Sequence, residues 1–410
     1  MKIALLGYGK ECRAVEKYFK NHCQDLEIDI FDNLTPAEIA NEDYSSYDLV
    51  FRSPSIPPMP EVKNFTSVTR YFLDHCPCPI IGITGTKGKG STCAFTEAIL
   101  KKLNEDVYLV GNMDIPAIEV LDQLTEHSIV IYEMSSFQLW DITKSPHVAV
   151  IGNIEPDHLN VHPDFDDYVN AKANIGRFQT PDDYMIYYTN DQDSVKAASI
   201  SPAQKILYPF PLPDDIAESI NIPGAHNQAN AAAAIAAVAS YKHLSSNDFI
   251  KTYSGTIKQA FKNFKGLPHR LQFIRQLNNV KYYDDCLSTN PVSTRAAIDA
   301  FPDYSVIAIV GGRDKTHNED IPEICEIITK DNVKKVVLIG ESGHELYNHY
   351  HDARFVLAES LEEAIATARK AAETYENAIV LMSPSAASFD MFKNAYDRGE
   401  KYQIAVKSLK

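Results

Sequence analysis

The chain has 410 residues, 45% of them hydrophobic and 23% charged, a composition that excludes disorder and fibrous repeats and leaves room for two or three domains. Its formal net charge of −16 argues against a general nucleic-acid binder, which needs a basic surface, but not against phosphate groups held by a helix N-terminus and a few cations. Glycine is scarce, 17 in all, yet Gly82, Gly85, Gly88 and Gly90 fall in one short stretch, where the backbone must turn tightly or approach a ligand.

In chain order, Ile3–Leu6 reads as a strand entering Gly7-Tyr8-Gly9, with an amphipathic helix over Glu11–Lys20 behind it. Glu27–Phe31 and Asp48–Phe51 read as further strands, which together make a small doubly wound unit. No cleavable apolar leader and no membrane-spanning apolar run is present, and the seven cysteines form no paired framework. A cytoplasmic protein with free thiols is expected; Cys76/Cys78 is only a CxC, with no second pair to complete a zinc site. The prolines of 54–60 and the Cys-Pro-Cys-Pro at 76–79 mark a boundary near residue 78. A strand over Pro79–Ile83 opens the glycine cluster, and a helix is expected over 92–103. Strands end at Val110, Glu133 and Ile151, and the Ala-rich Asn227–Tyr241 is a helix by propensity. Gly266-Leu267-Pro268 marks a second boundary, followed by strands over Val280–Asp284, Val306–Val310, Lys335–Ile339 and Ala378–Met382. The expected architecture is α/β with three domains in series. They are a Rossmann-like unit over 1–78, a P-loop domain with a mostly parallel sheet over 79–266, and a Rossmann-like domain over 267–410.

The strongest chemical signal is Gly82-Ile-Thr-Gly-Thr-Lys-Gly-Lys-Gly-Ser-Thr92, between a strand and a helix. Converging backbone N–H groups need glycines, the β/γ oxygens need a lysine, here Lys89, and Mg²⁺ needs a hydroxyl, here Ser91 or Thr92. Gly90 stands where the hydroxyl belongs and Ser91 follows it. Glu133, at the end of an apolar strand, suits a second ligand of a nucleotide-bound Mg²⁺. Taken singly, His158 reads as a hydrogen-bonded loop residue and Lys172 as a solvated helical lysine; spacing alone makes neither a metal ligand. Five further polar clusters follow strands or open helices, where open α/β sheets bind ligands. They are His226–Asn230, Pro268–Arg270, Tyr283–Asn290, Gly311–Lys315 and Ser383–Asp390.

In this order, the glycine loop, Tyr132-Glu-Met-Ser-Ser-Phe-Gln-Leu139, Gly152-Asn-Ile-Glu-Pro-Asp-His158 and the five clusters resemble the Mur ligase family along essentially the whole chain, and the last cluster resembles its D-glutamate-adding branch. The resemblance implies a UDP-binding domain, an ATPase domain and an amino-acid-binding domain. It implies that Gly85, Thr86, Lys87, Gly88, Lys89, Gly90, Ser91 and Thr92 hold ATP, with Asn227 and Asn230 on the adenine side and Arg270 and Asp285 on the phosphates and ribose. Two Mg²⁺ ions are implied, one on Ser91 and Glu133, the other on His158 and a carbamylated Lys172. Gly7, Asp32, Asn33, Ser53 and Pro54 would take the uridine end, and Asn112, Ser135 and Gln138 the muramoyl-alanine end. Thr289, Lys315, Ser388 and Phe389 would take D-glutamate, with Lys315 pairing as a point charge. Lys89, His158, Lys172 and Lys315 are thereby the catalytic set.

The implied activity transfers the γ-phosphoryl group of ATP to the carboxylate of UDP-N-acetylmuramoyl-L-alanine; the amine of D-glutamate then attacks, and amide, ADP and phosphate result. Only small-molecule partners are implied, with no nucleic acid and no membrane, and the chain is expected to be a monomer. Gly90-Ser91 is the folylpolyglutamate-synthase form of the loop, Leu287 stands where a lysine is usual, Val161 and Leu34 where arginines are, and Ala395 where an aromatic is. Two alternatives therefore stay open: a folylpolyglutamate-synthase-like ligase and a non-catalytic nucleotide-binding regulator. A dinucleotide reading of Gly7-x-Gly9 is disfavoured, because Cys12 replaces the third fingerprint glycine.

Overall fold

The computed structural model describes residues 1–112, 115–159, 161–313 and 319–410. The chain divides into two compact units, Met1–Ser219 with Gln228–Phe261, and Ile220–Asn227 with Lys262–Lys410. The first carries two sheets and the second one. Among the described residues no helix is long and apolar enough to cross a membrane.

The N-terminal sheet consists of β1 (Lys2–Leu6), β2 (Glu27–Phe31), β3 (Leu49–Arg52) and β4 (Phe65–Ser67), in the order β2-β1-β3-β4, all parallel. One face buries Ile3, Leu5 and Phe51 against Cys12, Val15 and Phe19 of the helix Lys10–His22, whose apolar residues recur three to four apart. The other face buries Ala4, Leu6 and Val50 beneath Tyr44, Tyr47 and Phe65. Leu34 packs at the edge of this second cluster.

The second sheet consists of β5 (Ile80–Thr84), β6 (Asp106–Gly111), β7 (Ser128–Glu133), β8 (Val148–Ile151), β9 (Tyr184–Tyr188) and β10 (Gln204–Tyr208), in the order β10-β9-β8-β5-β7-β6. All pairs are parallel. β5, β7 and β8 are buried along their whole length, as strands covered on both faces must be, which is why they read as unbroken apolar runs. The strand after β5 in the chain lies on one side of it and β8 on the other, so a topological switch falls at the carboxyl end of β5. That is where open α/β sheets bind ligands. The Ala-rich helix runs from Ala225 to Tyr241, and Ala231–Ala239 is buried throughout.

The third sheet consists of β11 (Gln272–Leu277), β12 (Val280–Asp284), β13 (Ser305–Gly311), β14 (Val333–Ile339), β15 (Phe355–Leu357) and β16 (Ala378–Met382), in the order β11-β12-β16-β13-β14-β15. Only β11 is antiparallel. β13 and β16, at its centre, are buried on both faces between two apolar layers.

Candidate functional site

At the end of β5 the chain makes a loop whose shape depends on two glycines. Gly85 has φ +147 and passes close to Gly152 at the end of β8, where a Cβ would stand 3.0 Å from the Gly152 Cα. Gly88 has φ +80, the left-handed region, and serves as N-cap of the helix Lys89–Lys102. This abrupt turn starts the helix at Lys89, three residues earlier than the expected residue 92. Any Cβ at Gly88 would also come within 2.5 Å of Asn230 Oδ1. The loop is fastened to the segment after β8. Thr86 N–H donates to Asn153 O (2.7 Å), Lys87 N–H to Asn153 Oδ1 (3.2 Å), and Glu155 N–H to Thr86 Oγ1 (2.9 Å).

Two amines converge on this loop. Lys89 Nζ donates to the carbonyls of Gly85 (2.9 Å) and Thr86 (3.2 Å), and Lys172 Nζ donates to the same Gly85 carbonyl (2.9 Å). Lys172, on the helix Phe165–Arg177, is 1% exposed, and its Nζ lies 4.5 Å from the centre of the Tyr168 ring. Burial, reinforced by the charge of Lys89, drives its amine well below the ordinary lysine value. Ser91 and Thr92 lie in the first turn of the following helix, and Thr92 Oγ1 donates to Asn230 Oδ1 at 3.4 Å. Glu133 ends β7, the neighbour of β5, and is buried. His158 lies in the left-handed region at φ +56, half exposed, with its ring 5.0 Å from that of Phe137; burial pulls its imidazole below the ordinary value. Among the described residues no three His, Cys, Asp or Glu side chains form a metal-binding group.

The residues expected at the uridine end come together at the carboxyl ends of β1, β2 and β3. Gly7 has φ +75, and a Cβ there would meet Ser53 Cβ at 2.9 Å. Tyr8 N–H donates to Asp32 Oδ1 (3.1 Å), Asn33 lies in the left-handed region, and Pro54 O accepts from Arg52 (3.2 Å). Ser135 and Gln138 form a capping box at the start of the short helix Ser136–Leu139. Asn112 is exposed, just beyond β6, and its N–H donates to Glu133 O (3.0 Å).

Two residues that the sequence reading did not single out tie these regions together. The Gln138 amide donates to Glu11 Oε1 (2.6 Å), while Glu11 Oε2 is buried with no hydrogen-bond partner among the described residues. Burial raises the Glu11 carboxyl from 4.5 to about 7, Asp141 adding to the rise and Gln138 and Arg52 opposing it. Arg52, at the end of β3, is fully buried and forks onto Asp141 at 2.6 and 3.0 Å. Its guanidinium also donates to the carbonyls of Phe137 (2.6 Å) and Ile56 (3.1 Å).

In the second unit, Asn227 is buried and its amide donates to Pro223 O (2.7 Å); Arg270 is exposed. Asp285 accepts from Leu271 N–H (3.0 Å) and Ser383 Oγ (2.7 Å), and burial raises its carboxyl to about 6. Thr289 is half-buried, and Phe389 is exposed beside the buried Ser388. The hydroxyls of Ser342, Ser385 and Ser388 are buried without a hydrogen-bond partner among the described residues, beyond the ends of β14 and β16. Lys315 lies outside the described residues.

The sequence matches two family models, described as Mur ligase middle domain over residues 83–210 and Mur ligase, glutamate ligase domain over residues 269–386. A UDP-N-acetylmuramoylalanine--D-glutamate ligase of Acetivibrio thermocellus is 31% identical over 90% of this chain and 84% of that protein. The protein of the same name from Clostridium botulinum (strain Loch Maree / Type A3) is 29% identical over 99% of this chain and 93% of that one. Among solved structures, the MurF ligase from Thermotoga maritima in complex with ADP superposes with a TM-score of 0.60 at 14% identity, covering 99% of this chain and 95% of that one, and shares its fold. The first model falls on the second sheet, which holds the glycine loop, and the other on the third sheet. With 31% identity sustained over most of a full-length relative, the chain belongs to the Mur ligase family.

Proposed function

We propose that the chain is an ATP-dependent amide ligase of peptidoglycan precursor synthesis, adding D-glutamate to UDP-N-acetylmuramoyl-L-alanine through an acyl phosphate. The observation that carries this reading is the loop at the end of β5, with its left-handed Gly88, the helix N-terminus behind it and two amines gathered on one carbonyl. A carboxylate is a poor electrophile at neutral pH, and phosphorylation supplies its leaving group. Bringing an anionic carboxylate to an anionic triphosphate requires fixed positive charge. Lys89 and the N–H groups opening the helix provide it without reorganisation at the moment of reaction.

Ser91 and Glu133, a hydroxyl and a buried carboxylate on adjoining elements, are an oxygen donor pair that fits Mg²⁺. Ser91 and Glu133 would hold Mg²⁺ there, which would supply charge neutralisation for the transferring phosphoryl group. Burial lowers the Lys172 amine toward its nucleophilic form; attack of its nitrogen on carbon dioxide with loss of a proton would give a carbamate whose anionic oxygens, with His158, would face a second cation. Gly7, Asp32, Asn33, Ser53 and Pro54 are assigned to the uridine end, and Asn112, Ser135 and Gln138 to the muramoyl-alanine end. Thr289, Ser388 and Phe389, with Lys315, are assigned to the amino acid. The names carried by the relatives support the choice of D-glutamate.

The test incubates the protein with ATP, Mg²⁺ and UDP-N-acetylmuramoyl-L-alanine and follows phosphate release on adding D-glutamate. Release that depends on D-glutamate is expected. Equal release with L-lysine would refute the amino-acid assignment, and no release with any amino acid would favour a nucleotide-binding regulator.

A further inference from the structure

The Cys-Pro-Cys segment at the junction between the first two sheets holds two thiols that the ligase reading does not use. Cys76 terminates the helix Val68–His75, its N–H donating to Phe72 O (2.8 Å), and Cys78 lies two residues before β5. Residues two apart in the chain need not meet, yet the two sulfurs stand 3.5 Å apart, and Cys76 Sγ is also 3.5 Å from the carbonyl oxygen of Cys78. Both side chains are half-buried against the core of the second sheet, while Pro77 between them is exposed. The remaining cysteines are arranged differently. Cys12, Cys93 and Cys286 are buried, with thiols raised by burial, and Cys23 and Cys325 each stand apart from any other cysteine sulfur among the described residues. Two thiols alone make no structural metal site, which takes four ligands.

We infer that Cys76 and Cys78 form a dithiol modification site that closes to an intramolecular disulfide by exchange with a small-molecule disulfide. The sulfurs must approach by about 1.5 Å to reach bonding distance, and the capped helix end and β5 already hold the segment on both sides. Cys76 is the attacking sulfur. Its thiol is held below the ordinary value chiefly by the hydrogen bond with Cys78, with Lys144 contributing, and the same bond raises Cys78. The Cys76 thiolate attacks one sulfur of the small disulfide and expels one thiolate, leaving a mixed disulfide. Cys78 then loses its proton and attacks Cys76 Sγ, expelling the second. Two protein thiols are oxidised, and one small disulfide is reduced to two thiols.

The test exposes the full, folded chain to oxidised glutathione and maps every cysteine by mass spectrometry. The peptide bearing residues 76–78 is expected to lose two hydrogens before Cys23 or Cys325 is modified, and Cys78→Ser to accumulate glutathione on Cys76. Cys76→Ser is expected to slow modification at Cys78 at least about tenfold. The proposal is overturned if Cys76 and Cys78 of the unaltered chain stay reduced while Cys23 reacts, or if each carries its own glutathione. An unreactive Cys76 in the Cys78→Ser chain would overturn the assigned order of attack.

Discussion

Replacing Arg52 by methionine should cost the first unit much of its stability. The guanidinium is fully buried, and Asp141 is 8% exposed on its side chain. With Arg52 gone, Asp141 keeps, among the described residues, only the Ser67 hydroxyl (3.0 Å), and the carbonyls of Phe137, Pro54 and Ile56 lose a donor. Removing one member of a buried pair costs about 3–5 kcal/mol, because the remaining charge is left desolvated and uncompensated. At a slope of about 2–3 kcal/mol per molar urea, the unfolding midpoint should fall by about 1–2 M. The double replacement Arg52→Met with Asp141→Leu should recover most of that loss, since apolar groups of similar volume commonly match a buried ion pair. A single variant within about 1 kcal/mol of the parent, or a double variant no better than the single, would refute the reasoning. The loop Ser53–Ile56, which Arg52 holds by its carbonyls, should loosen in the single variant, so binding of UDP measured by calorimetry should weaken with it.

Gly88→Ala would place a Cβ 2.5 Å from Asn230 Oδ1 on a residue with φ +80. A left-handed L-residue costs about 1–2 kcal/mol, so ATP affinity should fall about five- to thirtyfold by equilibrium titration, and unchanged affinity would count against the loop assignment. Lys172→Ala should lose nearly all turnover and regain part of it with short carboxylic acids; a folded variant that no acid restores would exclude an anionic group at that position. The carboxyl of Glu11 is enclosed and raised from 4.5 to about 7, so the folded chain binds its proton more tightly than the unfolded one. Stability should therefore fall as pH rises from about 4.5 through about 7, and Glu11→Gln should reduce that slope, leaving the share of Asp285, whose carboxyl is raised to about 6. Parallel denaturation curves for the two chains across the window would exclude Glu11 as its source.

What could be read from the sequence was local. β2, β8, β12 and β16 have the expected limits, β8 and β16 as unbroken apolar runs and β2 and β12 as strands with polar residues between apolar ones, each ended by a turn or a polar residue. β4 and β15 have three residues each, too few to show a period, and the tyrosines of β9 do not separate a strand from other apolar structure. The glycine loop was legible because its chemistry is written in consecutive residues. Lys172 was read alone as a solvated lysine, although Tyr168 four positions earlier and Ile175 three later place it on the apolar face of its helix. Arg52 and Asp141 are 89 positions apart, and Glu11 and Gln138 are 127 apart. A strand-end arginine and an acidic residue in a first helical turn look like ordinary surface charges until the fold buries them.

Because Lys89 and Lys172 share one carbonyl, a charge brought to either amine is felt by the other. While both amines face Gly85 O, each disfavours a charge on the other, and burial together with the charge of Lys89 lowers the hold of Lys172 on its proton. A polyanion entering the loop would favour the charged form and so oppose that shift. An amine must be uncharged to capture carbon dioxide. A nucleotide bound before that reaction would therefore work against it.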